Sequence, residues 1–303
     1  MLIRCSSAII ASLSEPTVHL YLPVVKQNRD CRWRSLGFVY LALRFAKLFL
    51  CDKVGERVPV LLECIFYAFV KSEKSMKAVV LFSGGLDSSV CLGMAVKKYG
   101  AGEVLALSVY YGQKHIKEME ASEKVAAFYG VKRITLDLGE IFKDSNCSLL
   151  EGAGEDIPHE DYADQLSGTD GAPVSTYVPY RNGLFLSAAA SIALSHGCEV
   201  IYYGAHADDA AGNAYPDTSV EFNNAVSDAI YIGSGKALRI AAPFIDKSKA
   251  AVVAEGIKTG VPFELTWSCY EGQDKACGVC GTCRDRKRAF EENGIADPIE
   301  YEE

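Results

Sequence analysis

The sequence predicts an α/β fold, a doubly wound parallel sheet carrying a C-terminal metal-binding segment, and three observations predict it. From Lys77 onward, short β-rich runs alternate with helical patterns. The first run ends in a turn of small residues, Ser83-Gly84-Gly85-Leu86-Asp87-Ser88-Ser89, and four cysteines crowd between Cys269 and Cys283. Strand–helix alternation implies parallel strands with helices on both faces. Ligands of such sheets sit beyond the carboxyl ends of the strands.

Taken in order, "KAVVLF" is the first strand, and the pattern over Ser88 to Tyr99 places Val90, Met94 and Ala95 on one helical face before Gly100 stops it. "EVLALSVY" is the second strand, followed by a helix from His115 to Tyr129 with Gly130 beyond it, and "VKRITLDL" is the third. Pro179 fixes the entry to a further helix that Asn182 caps, packing through Leu184, Ala188, Ile192 and Leu194 and stopping at Gly197. "EVIYYG" is a fourth strand. The stretch from Glu151 to Ala172 holds seven acids and no Lys or Arg, and reads as a surface loop with a lid as its functional alternative.

Composition narrows the class. The chain is 49% hydrophobic and 23% charged, and no run of eighteen apolar residues suggests a membrane span. Residues 1–75 carry a net charge of +5 and residues 76–303 a net of −13. So acidic a body is a poor match for a nucleic-acid backbone, so no direct nucleic-acid partner and no membrane are expected. Residues 1–75 mix basic and apolar residues without a clean period, in runs such as "LGFVYLALRFAKLFL" and "VPVLLECIFYAFV". They read as a dispensable extension or a misassigned start, with an amphipathic membrane-surface segment as the alternative. The organisation expected is therefore an extension over 1–75, an α/β domain over 76–265 and a C-terminal metal-binding and helical segment over 266–303.

The turn after the first strand carries chemistry. Two glycines let the backbone approach a ligand closely, and the helix that follows offers unpaired amides and the positive end of its dipole. That combination is an anion site suited to phosphate. It lacks the Gly-Lys-Ser/Thr ending of a Walker A loop and the G-x-G-x-x-G of a dinucleotide fold. "FSGGLDSS" resembles instead the SGGxDS signature of the ATP pyrophosphatase (PP-loop) superfamily, which implies a Rossmann-like domain of the adenine-nucleotide hydrolase type. It also implies a nucleotide contact along Phe82, Ser83, Gly84, Gly85, Leu86, Asp87, Ser88, Ser89, Val90, Cys91 and Leu92.

Further stretches occur in order: "YGQKH" at Tyr111, "TYVPYRNGLFLSAAA" at Thr176, "GNAYPD" at Gly212, "TWSCYEG" at Thr266 and "CGVCGTCRDRKRAFEENGI" at Cys277. Together they resemble the 7-cyano-7-deazaguanine synthase family of the queuosine pathway, from Met76 nearly to the end. The resemblance implies an ATP-dependent ligase that turns 7-carboxy-7-deazaguanine and ammonia into the nitrile, releasing AMP and pyrophosphate. Ser83, Asp87 and Arg181 are the expected catalytic residues. Asp87 serves Mg²⁺ or the shape of the loop rather than phosphate, because two anions repel. Arg181 offers a fork for a carboxylate or phosphate, against the alternative of a surface arginine paired with an acid. His206, Asp208 and Asp209 are candidates for magnesium, ammonia or purine contacts, against a solvated acidic loop.

Cys269, Cys277, Cys280 and Cys283 form C-x7-C-x2-C-x2-C. Four close thiolates and no fifth ligand describe a closed tetrahedral zinc site, one structural Zn²⁺ per chain. Lys275, Arg284 and Arg286 are placed to offset thiolate charge. Zinc binding supplies about 10–16 kcal/mol in small folds. An iron–sulfur cluster is the rival, since C-x2-C-x2-C also opens ferredoxin runs. Cysteines arranged as a clip rather than a disulfide framework fit the cytoplasm. The expected partners are small molecules, namely the carboxylate, ammonia and ATP with Mg²⁺, and a homodimer is left open. Two rivals stand beside this reading. A tRNA-thiolating or amidating enzyme needs a basic face, and a non-catalytic ATP- or zinc-binding protein would release no pyrophosphate.

Overall fold

The computed structural model describes residues 8–11, 20–23 and 76–302, apart from 155, 161, 168–171 and 273. The chain divides into two compact units, Met1–Glu73 and Lys74–Glu303. In the first, Ala8–Ala11 and Leu20–Pro23 pair as antiparallel strands. The two apolar runs of the extension lie outside the described residues.

The second unit is built on five parallel strands, β1 (Ala78–Leu81), β2 (Val104–Tyr110), β3 (Lys132–Asp137), β4 (Val200–Tyr202) and β5 (Arg239–Ala241), in the order β3-β2-β1-β4-β5. β1 pairs with β2 on one side and β4 on the other, Ala78 lying opposite both Val104 and Val200. All four β1 residues are buried, and their alternation sorts the core into two layers. Ala78 and Val80 pack with α1 (Leu86–Tyr99), α2 (Lys117–Tyr129), α5 (Lys249–Thr259) and α6 (Gly281–Glu292). Val79 and Leu81 pack with α3 (Arg181–Ser195) and α4 (Val220–Gly233). The connections leave β1 toward β2 and later return to β4 on its other side, so the chain reverses direction across the sheet at the carboxyl end of β1. Open α/β sheets bind ligands at such a switch point.

Helix boundaries differ from the periodicity in instructive ways. α1 begins at Leu86, two residues early, because Gly85 is its N-cap, and α2 begins at Lys117 rather than His115. α3 is not capped by Asn182. Its N-cap is Tyr180, held at φ +53°, and Asn182 lies inside the first turn. There its backbone N–H and side-chain amide both donate to the Asp217 carboxylate, at 2.8 and 3.0 Å. A carboxylate 35 positions away thus does the capping. The face of α3 turned to the core is Gly183, Leu186, Ala189 and Ala193, while Leu194 is exposed. Strand β5 escaped the sequence because only three residues, opening with Arg239, pair with β4.

Candidate active site

The turn after β1 is held open by its own hydroxyls. Ser83 Oγ accepts the Gly85 N–H at 3.1 Å, and Ser88 Oγ accepts the Ser83 N–H and donates to the Gly85 carbonyl. Gly84 sits at φ +95°, and a Cβ there would lie 2.4 Å from the backbone of Glu118 and of Ser122. The glycine is required twice, for its backbone angle and for the approach of α2.

A cleft of about 230 Å³ opens at this turn. Of the predicted nucleotide stretch, Phe82, Ser83, Gly85, Asp87 and Ser88 line it. Leu86, Val90, Cys91 and Leu92 do not, because the helical turn points them into the core, where each is fully buried. Ser89 is also buried, donating to the Gly85 carbonyl at 2.7 Å. Gly84 supports the turn from behind, its carbonyl accepting the Trp267 N–H.

Asp87 does not stand alone. Its Oδ2 lies 3.3 Å from Lys249 Nζ, and His206 Nε2 lies 3.7 Å from its Oδ1. Burial raises the Asp87 carboxyl, but the Lys249 ammonium and His206 overcome that and hold it below the usual carboxylate range. His206 is buried and also approaches Asp209 at 3.4 Å. Asp208 has a different task, accepting the Lys249 backbone N–H at 2.8 Å where α5 begins. The acidic loop after β4 is therefore split between the cleft and a helix cap.

Arg181 is not a surface arginine paired with an acid. Its guanidinium enters the cleft, donates to the Tyr111 hydroxyl at 3.2 Å and lies over the Tyr111 ring. Glu118, at the start of α2, faces the same space. Burial, and then the charge of Asp87, push its carboxyl up to about 7 against the pull of Arg181 and Lys249. Sequence reasoning missed Lys249 and Glu118 as site residues. Lys249 belongs to no motif and reaches the turn only because α5 packs beside α1. Glu118 closes the stretch "YYGQKHIKE" at the carboxyl end of β2, and that position was its signal.

The four cysteines come together. All four Sγ atoms lie within 4.8 Å of one another, and Cys277 and Cys283 are 4.0 Å apart. A tetrahedral ion with Zn–S bonds of about 2.3 Å sets sulfurs roughly 3.8 Å apart, so the residues fit a four-sulfur metal site. Cys269 Sγ accepts backbone N–H groups from Glu271, Gly272 and Cys277. The Cys280 and Cys283 thiols beside it and these N–H groups hold it well below the usual thiol range. The expected basic neighbours are committed elsewhere. Lys275 pairs with Glu300, Arg284 donates to the Val279 carbonyl, and Arg286 is buried against Asp297. Backbone amides therefore meet part of the thiolate charge at Cys269. The clip also reaches the cleft, where Ser268, Tyr270, Thr282 and Asp285 form one wall.

Residues 77–294 match the family described as "Queuosine biosynthesis protein QueC". A relative from Archaeoglobus fulgidus named 7-cyano-7-deazaguanine synthase is 42% identical over 225 residues, which cover 74% of this chain and 90% of that protein. One from Colwellia psychrerythraea named 7-cyano-7-deazaguanine synthase 1 is 42% identical over 231 residues, covering 75% and 99%. Among solved structures, an NMN synthetase from Francisella tularensis is similar at 15% identity and a TM-score of 0.39, over 85% of this chain and 87% of that one. The chain belongs to the QueC family of queuosine biosynthesis proteins.

Proposed function

We propose that this chain is the ATP-dependent ligase that converts 7-carboxy-7-deazaguanine and ammonia into 7-cyano-7-deazaguanine. The observation that carries the proposal is the cleft itself. The Ser83–Ser89 turn opens into a space whose other walls present Arg181 and Lys249. A carboxylate resists ammonia because it is already anionic and its leaving group would be oxide. Attack on the ATP α-phosphorus gives an acyl-adenylate, and pyrophosphate leaves toward the turn. There the loop amides, the Ser83 and Ser88 hydroxyls and the Lys249 ammonium meet the charge that develops. Arg181 orients the carboxylate by a charge-assisted hydrogen bond. Ammonia displaces AMP to give the amide, and a second adenylation of the amide oxygen permits elimination to the nitrile.

Bound with the triphosphate, Mg²⁺ would neutralise part of its charge. Asp87 Oδ1, buried and without a hydrogen-bond partner, is the protein oxygen that suits it. Zinc is the ion we assign to the four cysteines, where it would fix the clip that walls the cleft. None of the seven described cysteines is in a disulfide, in keeping with a reducing cytoplasm. The two compact units are the working division, with the catalytic machinery in 74–303. The test is product analysis after incubation with the carboxylate, ATP and ammonium. Two ATP should become AMP and pyrophosphate for each nitrile, and the amide should need only one. An inert amide refutes the use of one pocket for both activations.

A further inference from the structure

A small hollow of about 20 Å³ lies beside the main cleft. Tyr111, Gln113, Glu118 and Tyr270 line both spaces, and His115 and Leu149 complete the hollow with the metal ligand Cys269. About 10–15 Å³ measured this way suffices for one water, and ammonia is nearly the same size. The walls suit a small cation on its way to becoming neutral. Glu118 offers a carboxylate, and the side chains of Tyr111 and Tyr270 stand beside it in the lining. The Tyr111 backbone N–H holds Gln113 Oε1 at 2.8 Å, which fixes that wall. Glu118 Oε1 also lies close to Gly85, within 3.3 Å of where a Cβ would stand, so one carboxylate reaches from the hollow to the turn where adenylation occurs.

We propose that this hollow is the ammonium entry site, and that Glu118 accepts the proton that turns bound ammonium into the nucleophile. The inference rests on the ligase reading above. Ammonia in neutral water is almost all ammonium, which has no lone pair to attack with. Glu118 takes one proton, and NH3 moves into the cleft. Its nitrogen forms a bond to the adenylate carbonyl carbon, the adduct gives its second proton to the departing AMP phosphate, and the bond from that carbon to AMP breaks. Glu118 then returns its proton to water. The groups facing Glu118 favour this cycle. Arg181 from α3 and Lys249 from α5 repel a lingering cation, while Asp87, Tyr111, His115, Cys269 and Tyr270 are further titratable groups around it. Burial has already brought the Glu118 carboxyl up to about 7, a better proton acceptor than a solvated glutamate.

The test compares two nucleophiles in the full chain. Hydroxylamine is neutral at neutral pH and needs no deprotonation before attack. Glu118→Gln should lose on the order of 100-fold in kcat/KM for ammonium. With hydroxylamine, its loss should stay below about threefold of wild type, a ceiling set well under the same general-base factor. Carboxylate-dependent exchange of pyrophosphate into ATP should remain measurable, which shows that the variant folds, and the two nucleophile losses are compared as a ratio within the same variant. Glu118→Asp, keeping a carboxylate, should recover part of the ammonium rate. Equal losses with both nucleophiles, or no loss with ammonium, overturn the inference alone. Wild-type protein without carboxylate-dependent exchange overturns the ligase reading, and this inference with it.

Discussion

Replacing Arg286 by methionine strands a buried carboxylate. Arg286 is 1% exposed and Asp297 is 5% exposed at its side chain. The guanidinium donates twice to Asp297, at 2.7 and 3.0 Å, and also to Thr266 Oγ1 and the Phe263 carbonyl. It thereby ties α6 and the C-terminal residues to the turn that follows α5. Without it, Thr266 Oγ1 still donates to the Phe263 carbonyl, so that acceptor keeps a partner. Asp297 keeps only the Tyr301 hydroxyl and the Ile299 N–H. The cost is therefore chiefly that of an unpaired buried charge, about 3–5 kcal/mol. In a domain of this size that corresponds to roughly 6–20 °C in Tm. Urea unfolding of Arg286→Met in excess zinc at neutral pH measures it. Adding Asp297→Asn removes the charge while keeping an acceptor for Tyr301, and should restore at least half of the loss. A single variant that loses less than about 1 kcal/mol, well under the buried-pair range, refutes the reasoning. So does a double variant no better than the single.

Gly84→Ala should fail to bind ATP or fail to fold, because the residue needs φ +95° and its methyl group would meet the backbone of α2 at 2.4 Å. Calorimetry with ATP and a thermal melt check this, and wild-type values in both count against it. Cys280→Ser should lower zinc per chain and destabilise the protein more than it weakens ATP binding per folded molecule. Metal analysis of freshly purified protein decides the ion, and iron with sulfide would rule out zinc. Lys249→Met should weaken ATP binding at least about tenfold, in line with losing one charge-assisted contact. It should also move acid unfolding to higher pH. Because the Asp87 carboxyl is depressed in the folded protein, its pairing stabilises above the ordinary value of 3.8 and is lost as pH falls through the lowered one. Acid titration of both proteins reads the difference, and superimposable acid limbs would show that Lys249 does not hold Asp87 ionised.

Local signals in the sequence determined a good part of this protein. Strand runs such as "KAVVLF" are marked by unbroken apolar residues, the turn at Ser83–Ser89 by its adjacent glycines, and the cysteine clip by spacing alone, since ligands so close in sequence reach one ion without help from the rest of the fold. Tertiary structure decided whatever depends on partners distant in the chain. Asp217 caps α3 in place of Asn182, Lys249 rather than a local residue sets the charge of Asp87, and Arg286 serves Asp297 instead of the thiolates. The same holds for the nucleotide stretch. Its motif runs without a break from Phe82 to Leu92, but the helical period turns Leu86, Val90, Cys91 and Leu92 into the core and leaves Ser83, Gly85, Asp87 and Ser88 to the cleft. Glu118 shows the physical reason most plainly. Its place at the end of β2 was readable, but its raised carboxyl comes from burial and from the charge of Asp87 on α1, against the pull of Arg181 on α3 and Lys249 on α5, and only folding brings those together.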